Sequence, residues 1–319
     1  MKTKSLPIVF ENNDLLSSLF GDHDRHLARI EQLLGVTVAS RGNSLLVVGG
    51  SWEINIAKEA INGLYNRLLR GLDIGIPEVD AAISFARHGA HDNPESKPDP
   101  DFKMIKTYKK SISPRSPRQQ KYMEVLDCND LVFGLGPAGT GKTYLAVGKA
   151  VSQLMLGQVK KIILSRPAVE AGERLGFLPG DMKNKIDPYL RPLYDALYDM
   201  MPTEQVDRRL QTGEIEIAPL AFMRGRTLSN AFIILDEAQN ATKVQMKMFL
   251  TRIGEHSRMV ITGDLTQIDL PSGVTSGLKH AVKTLGGVQG VSVLRFYAED
   301  VVRHRLVSQI VHAYEEEGK

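Results

Sequence analysis

One eight-residue segment near the middle of the chain constrains the fold more than any other feature. It reads Gly136-Pro137-Ala138-Gly139-Thr140-Gly141-Lys142-Thr143 and fits the phosphate-binding pattern GxxxxGK[ST] at every fixed position. The apolar run LVFGLG leads into it and the helix-forming run YLAVGKAVSQLM follows it, which is the strand–loop–helix context that the pattern requires. The segment therefore predicts a phosphate-binding loop at the carboxyl end of a β-strand.

Each residue type in this loop has a physical reason. Glycines at its first, fourth and sixth positions permit backbone angles that turn successive N–H groups toward phosphate oxygens. The helix that follows points the positive end of its dipole at the same oxygens. We expect all eight residues to bind a nucleoside triphosphate, with Lys142 reaching the β- and γ-phosphates and Thr143 binding Mg²⁺.

A second apolar run, AFIIL, ends in two carboxylates, Asp236 and Glu237. A carboxylate pair is ordinarily surface charge. A pair that lies at the end of a buried strand downstream of a phosphate loop is instead placed to act on the nucleotide. We expect Asp236 to bind Mg²⁺ and Glu237 to orient or deprotonate the attacking water. A third run, RMVITG, leads to Asp264 and Gln267, either of which is placed to sense the γ-phosphate; a simple turn is the alternative.

The order of these runs predicts the fold class. LVFGLG, KIILSR, AFIILDEA and RMVITGD are short apolar runs with polar or glycine ends, and helical stretches separate them. Such alternation is typical of an α/β fold with a parallel sheet whose functional groups lie at the strand carboxyl ends. Together with the phosphate loop it predicts a P-loop NTPase core.

The part of the chain before this core has the element order β-α-α-β-β-α. The strand-like runs are SLPIVFE, VTVAS and SLLVVG, and helical periodicity covers Leu27 to Leu34 and Ile54 to Leu69. This order resembles a KH domain, an RNA-binding module with a GXXG loop between its first two helices. Here that loop reads Gly21-Asp22-His23-Asp24, so the second glycine is absent and two carboxylates lie where phosphate would bind. A small docking or assembly module is the alternative.

A basic, proline-punctuated stretch separates the two parts. Residues 96–121 carry eight Lys and Arg against two Asp and Glu, whereas residues 1–95 carry nine against twelve. Proline removes backbone donors and restricts its neighbours, so long helices are not expected there. The stretch is either a solvated spacer or an electrostatic grip on RNA phosphates by Lys106, Lys109 and Lys110.

Length and composition bound the remaining classes. The 319 residues suit two domains, which we place at 1–87 (KH-like) and 119–319 (P-loop), with 88–118 as linker. No apolar run approaches the roughly 20 residues that cross a bilayer, and MKTKSLPIVFENND is not expected to be a signal peptide. Cys128 is the single cysteine, which excludes a disulfide within the chain and fits the cytoplasmic location that we expect.

Longer segments of the chain resemble the PhoH-like ATPases. They are GPAGTGKTYLAV, SRPAVEAGERLGFLPGDMKNKIDPYLRPLYDAL, FIILDEAQNAT, ITGDLTQIDLP and FYAEDVVRHRLVSQIVHAY. The resemblance covers roughly residues 110–315, and the N-terminal module suggests the bacterial YbeZ-type branch. It implies ATP as the nucleotide, a RecA-like core similar to that of superfamily 1 RNA helicases, a role in RNA processing, and a YbeY-type endoribonuclease as partner.

The resemblance also assigns residues. Gln119 is similar to a glutamine that reads adenine, and Ser165-Arg166-Pro167 is similar to a strand-end motif that contacts nucleic acid or couples to the nucleotide. The chain has room for one RecA-like lobe, whereas superfamily 1 helicases use two. We therefore expect a ring-shaped homo-oligomer in which Arg303 or Arg305 of one subunit completes the ATP site of the next. Arg166 and Arg174 compete for a phosphate or nucleic-acid contact.

Three functions stay open on the sequence alone. The first is an RNA-directed ATPase that remodels or unwinds RNA. The second is a nucleotide-regulated adaptor that docks an endoribonuclease without separating strands. A small-molecule kinase is the third and has the least support, because no acceptor-binding lid is recognisable and the DEAQ segment favours water as nucleophile.

Overall fold

A computed structural model describes residues 4–91, 104–167, 182–271 and 273–301 of the chain. The chain divides into two compact units. Met1–Lys103 with Pro114–Gln120 form the first unit, and Met104–Ser113 with Lys121–Lys319 form the second. The domain limits drawn from the sequence, 1–87, 88–118 and 119–319, stay predictions.

The first unit contains a three-stranded antiparallel sheet with the strand order β1-β3-β2. Its elements follow the predicted order β-α-α-β-β-α, and a further helix, α4, was not predicted. The strands are β1 (Lys4–Val9), β2 (Thr37–Arg41) and β3 (Ser44–Gly49). The helices are α1 (Leu16–Phe20), α2 (Arg25–Leu34), α3 (Ser51–Leu69) and α4 (Ile76–His91).

One face of this sheet packs on the helices. In β3, Leu45 and Val47 are fully buried while Leu46 between them is 42% exposed, which is the period-two pattern of a half-buried strand. Ile30 of α2 and Ile61 of α3 belong to the same buried cluster. The helical periodicity read from the sequence therefore marks the helix faces that cover the sheet.

The second unit is built on a six-stranded sheet in which every described pairing is parallel, with the strand order β11-β6-β10-β9-β7-β8. The four predicted strands form its centre, and the two that were not predicted, β8 and β11, lie at its edges. The strands are β6 (Leu131–Leu135), β7 (Lys161–Arg166), β8 (Ile215–Pro219), β9 (Ala231–Leu235), β10 (Arg258–Gly263) and β11 (Val291–Arg295).

Helices cover both faces of this sheet. Alternate residues of β9 enter different clusters: Phe232 and Ile234 belong to one, and Ile233 and Leu235 to the other. A central strand buried on both sides explains why AFIIL reads as an unbroken apolar run. The helices are α5 (Pro117–Cys128), α6 (Lys142–Met155), α7 (Met182–Met200), α8 (Thr203–Thr212), α9 (Lys243–Leu250) and α10 (Gly277–Leu285).

The described part of the basic stretch, residues 104–121, contains regular structure. Strands β4 (Ile105–Lys106) and β5 (Ser111–Ile112) form an antiparallel hairpin, and α5 begins at Pro117. A proline at the first helical position loses no hydrogen bond, because that N–H has no partner within the helix. Prolines therefore interrupt the stretch without preventing local order. Along the described ranges we find no helix with the length and apolar character that a bilayer span needs.

Candidate nucleotide-binding site

The predicted phosphate loop connects the end of β6 to the start of α6. Its three glycines all have positive φ, with 140° at Gly136, 82° at Gly139 and 78° at Gly141. Gly136 also lies against the chain at Phe296, where a Cβ atom would approach the backbone oxygen to 2.5 Å. The loop thus needs glycine for backbone angle at three positions and for space at one of them.

The Lys142 side chain lies within this loop. Its Nζ donates hydrogen bonds to the carbonyl oxygens of Gly136 (2.6 Å) and Pro137 (2.7 Å). The loop and α6 form one wall of an open pocket of about 250 Å³. The pocket is lined by Ala138, Gly139, Gly141, Lys142, Thr143, Tyr144, Asp236, Glu237, Gly263, Asp264 and Gln267.

Three oxygen atoms from three elements meet beside the loop. Thr143 Oγ1 donates to Asp236 Oδ1 at 2.6 Å, and Thr262 Oγ1 donates to the same oxygen at 2.8 Å. The two threonine oxygens are 3.3 Å apart. The predicted metal-binding pair, Thr143 and Asp236, is therefore brought together. Thr262 was not predicted, although a buried polar residue in the apolar run MVITG was a readable signal.

Glu237 follows Asp236 and lies in the left-handed backbone region, with φ 51° and ψ 37°. Its Oε1 is 3.1 Å from the Arg166 guanidinium at the end of β7, and its Oε2 accepts a 2.6 Å hydrogen bond from Gln239 Nε2. Non-glycine residues in this region are strained and cluster at functional sites. The sequence predicted the place of Glu237 but not these two partners.

The third predicted segment continues this hydrogen-bonded chain. Gln239 Oε1 accepts from the backbone N–H of Asp264 at 3.0 Å, and Asp264 Oδ2 accepts from Gln267 Nε2 at 2.7 Å. Both Asp264 and Gln267 line the pocket. The structure thus brings both candidate γ-phosphate sensors to the pocket, and the sensing role stays a prediction.

Tyr144 lines the pocket directly after the loop. Hydrogen bonds through Asp199 link it to Lys110 of the β4–β5 hairpin. Its hydroxyl donates to Asp199 Oδ2 at 2.7 Å, and Lys110 Nζ lies 2.6 Å from the same carboxylate. The Lys110 hydrogen bond holds the pKa of Asp199 below its usual value, and burial raises the pKa of Tyr144. Lys109 Nζ donates to the Tyr198 carbonyl at 2.7 Å. Two of the three lysines predicted to contact RNA are therefore hydrogen-bonded within the protein, whereas no side-chain bond of Lys106 is found among the described residues.

A buried tyrosine lies near Asp236 of the predicted metal-binding pair. Burial, with the nearby charge of Asp236, raises the pKa of the Tyr122 hydroxyl, so this group is neutral throughout the physiological range. Its hydroxyl has no hydrogen-bond partner among the described residues. Tyr122 packs edge-on against Phe296 and against Gly134 of β6, which supports the strand under the loop.

The remaining predicted residues have other outcomes. Gln119 is buried in the first turn of α5, where its Oε1 accepts from the backbone N–H of Arg115 at 2.7 Å, so its adenine-reading role stays a prediction. Arg174, Arg303 and Arg305 lie outside the described residues. Within the described ranges no group of three or more His, Cys, Asp or Glu could hold a metal ion.

Comparisons with known proteins identify relatives of this chain. Residues 111–315 match the family described as PhoH-like protein. The PhoH-like protein of Bacillus subtilis (strain 168) is 50% identical over 309 residues, which are 97% of this chain and 96% of that protein. Protein PhoH of Escherichia coli (strain K12) is 46% identical over 205 residues, 64% of this chain and 58% of that protein.

Among solved structures, the Pif1 helicase from Candida albicans aligns with this chain at 15% identity and a TM-score of 0.33. The alignment covers 62% of this chain and 43% of the helicase chain. The family match and the parallel sheet confirm the predicted α/β fold with a P-loop core. High identity along nearly the whole length, with a family match over the site itself, fixes the assignment. The chain belongs to the PhoH-like protein family.

Proposed function

We propose that this chain binds ATP with Mg²⁺ and hydrolyses it, and that RNA directs the hydrolysis. The observation that carries the first part is the convergence of Thr143, Asp236 and Thr262 beside the phosphate loop, with Glu237 next in sequence. Hydroxyl and carboxylate oxygens are the donors that Mg²⁺ prefers, so the residues present fit this ion. Thr143 and Asp236 would hold it, and it would neutralise phosphate charge when bound.

The residues of the chain divide the remaining work. Backbone N–H groups of the loop and the start of α6 bind phosphate oxygens. Lys142 Nζ exchanges the loop carbonyls for phosphate oxygens, which are stronger acceptors because they are charged. Glu237 orients the attacking water and accepts its proton, and Gln267 contacts the terminal phosphate.

An exposed surface on the second unit supports RNA as the ligand that directs the reaction. The short 3₁₀ turn Leu220–Met223 follows β8 at the carboxyl edge of the sheet and packs against α9. In it Phe222 is 56% exposed, and the next exposed residue is Arg224. Helix α9 contributes Lys243 and Lys247 and contains no acidic residue. An exposed aromatic ring on a turn that packs against a basic helix suits stacking on single-stranded bases and contact with their phosphates.

The test is ATP turnover with and without single-stranded RNA. We expect stimulation by RNA, weakened by raised salt because the phosphate contacts release counterions. Turnover that RNA does not change would favour the nucleotide-regulated adaptor. Absence of ATP binding would contradict the whole proposal.

We further propose that the active form is a ring-shaped homo-oligomer of the YbeZ type that docks a YbeY-type endoribonuclease. Arg303 or Arg305 of one subunit would supply a second positive charge to the ATP of its neighbour, since the described pocket contains only Lys142 as a cation. Mixing a Lys142→Ala chain with an Arg303→Ala or Arg305→Ala chain should restore part of the activity. A mixture as inactive as its parts would contradict shared sites.

A further inference from the structure

The ion pair between Arg166 and Glu237 is not explained by nucleotide binding. We propose that Arg166 is a latch: it holds Glu237 away from the attacking water until a phosphate group of bound RNA draws the guanidinium off. This inference rests on the proposed function and names how RNA would act on the site. Arg166 is thus a positioning residue, acting through Glu237.

Both carboxylate oxygens of Glu237 are held by groups that are themselves fixed. Arg166 Nη2 holds Oε1, while Arg166 Nη1 donates to the Tyr189 carbonyl of α7 at 2.8 Å. Gln239 Nε2 holds Oε2, while Gln239 Oε1 accepts from the Asp264 backbone. Turning the Glu237 carboxylate would therefore break at least one of these bonds.

This arrangement opposes proton abstraction. A general base must turn an oxygen toward water and must become neutral as it takes the proton. Arg166 already holds Oε1 and Gln239 already holds Oε2, so the pair with Arg166 must break before Oε1 can turn toward the water. Breaking the pair in advance removes that cost from the hydrolysis step.

The chemistry of the latch fits release by phosphate. The Arg166 side chain is 21% exposed and that of Glu237 is 38% exposed, so solvent-borne groups can reach the pair. A guanidinium binds phosphate in the same two-point manner as carboxylate, and each phosphate of RNA is charged. Arg166 also lies at the carboxyl end of β7, on the sheet edge where the proposed RNA surface begins after β8.

The test compares Arg166→Gln with Arg29→Gln. Arg29 pairs with Asp80 in the first unit at 2.7 Å, with side chains 22% and 40% exposed, so the control breaks an ion pair of nearly equal burial that is not part of the unit with the nucleotide pocket. We expect Arg166→Gln to raise RNA-free kcat at least about 5-fold, the lower end of typical coupling effects, with KM for ATP unchanged and RNA stimulation lost. Arg29→Gln should behave as wild type.

Two more variants test whether Arg166 restrains Glu237. Arg166→Lys retains one charge but cannot hold Glu237 and the Tyr189 carbonyl together, so it should show a smaller rise; it serves if Arg166→Gln does not fold. Adding Glu237→Gln to Arg166→Gln should abolish the gain. RNA-free kcat equal to or below wild type in both Arg166 variants overturns the latch.

The outcomes separate the latch from the proposed function. Wild type stimulated by RNA with slower Arg166 variants would overturn the latch alone. Wild type inactive with and without RNA, but with an active Arg166→Gln variant, would show that Arg166 restrains Glu237 and would overturn both RNA direction and release of the latch by RNA.

Discussion

Two glycine-containing turns, one in each unit, show how similar backbone shapes serve different ends. The phosphate loop has positive φ at Gly136, Gly139 and Gly141, and its helix begins with a lysine. The turn between α1 and α2 has positive φ at Gly21, His23 and Asp24 and carries two exposed aspartates. The second turn also leads into a cation, Arg25, but that side chain pairs with Asp22, and we infer that the first turn is the better phosphate site.

The difference between the two turns shows that a phosphate loop needs more than a curved backbone. Glycines let the backbone N–H groups converge without strain, and a cation must lie where the anion will be. In the turn of the first unit, two non-glycine residues are held in the left-handed region, which costs roughly 1–2 kcal/mol each. Asp22 and Asp24 would also repel a phosphate. KH-type RNA gripping by this turn stays a prediction.

Lys142→Ala should have the largest effect among the substitutions in these two turns. Removing the only cation of the phosphate loop loses charged hydrogen bonds of about 1.5–3 kcal/mol each, so ATP affinity should fall on the order of 100-fold. The measurement is titration of a fluorescent ATP analogue into the folded variant. Unchanged affinity would remove the phosphate loop from nucleotide binding.

Gly136→Ala tests the steric half of the comparison. The new Cβ would approach the Phe296 carbonyl oxygen to 2.5 Å, and backbone atoms cannot move aside as a side chain can. We expect the second unit to lose about 2 kcal/mol of unfolding free energy. Denaturation followed by circular dichroism measures this loss.

The single tryptophan provides the control for that experiment. Trp52 lies in α3 of the first unit, so its fluorescence reports that unit. Its transition should be the same in wild type and in Gly136→Ala. Unchanged circular-dichroism unfolding would show that the contact with Phe296 relaxes without cost.

Asp24→Gly should have the smallest effect. It tests the cost of backbone strain in the turn of the first unit. It gives the first unit the pattern Gly-Asp-His-Gly and relieves one left-handed residue whose side chain makes no cap hydrogen bond. Relief of strain exceeds the entropic cost of glycine, so stability should rise by about 0.5 kcal/mol. Trp52 fluorescence during denaturation measures it. A loss of stability would mean that Asp24 has a role beyond its backbone shape.

The sequence predicted the centre of the second unit well because its signals are local or fully buried. The phosphate loop is set by residues adjacent in sequence, and central strands such as β9 are apolar on both faces. The edge strands were missed because each has a half-exposed pattern: β8 reads IEIAP and β11 reads VSVLR. The Arg166–Glu237 pair could not be predicted, because it joins residues on different strands that only the sheet order brings together.

The proposed hydrolysis depends above all on Glu237, which would activate water on ATP held by the phosphate loop. The measurement that tests it most directly is ATP binding and turnover by Glu237→Gln beside wild type. The amide keeps the shape of the side chain and leaves Asp236 unchanged, but it cannot accept a proton. ATP affinity should stay close to that of wild type while turnover falls at least about 100-fold, the usual size of a general-base effect. Near-normal turnover with normal binding would contradict the account.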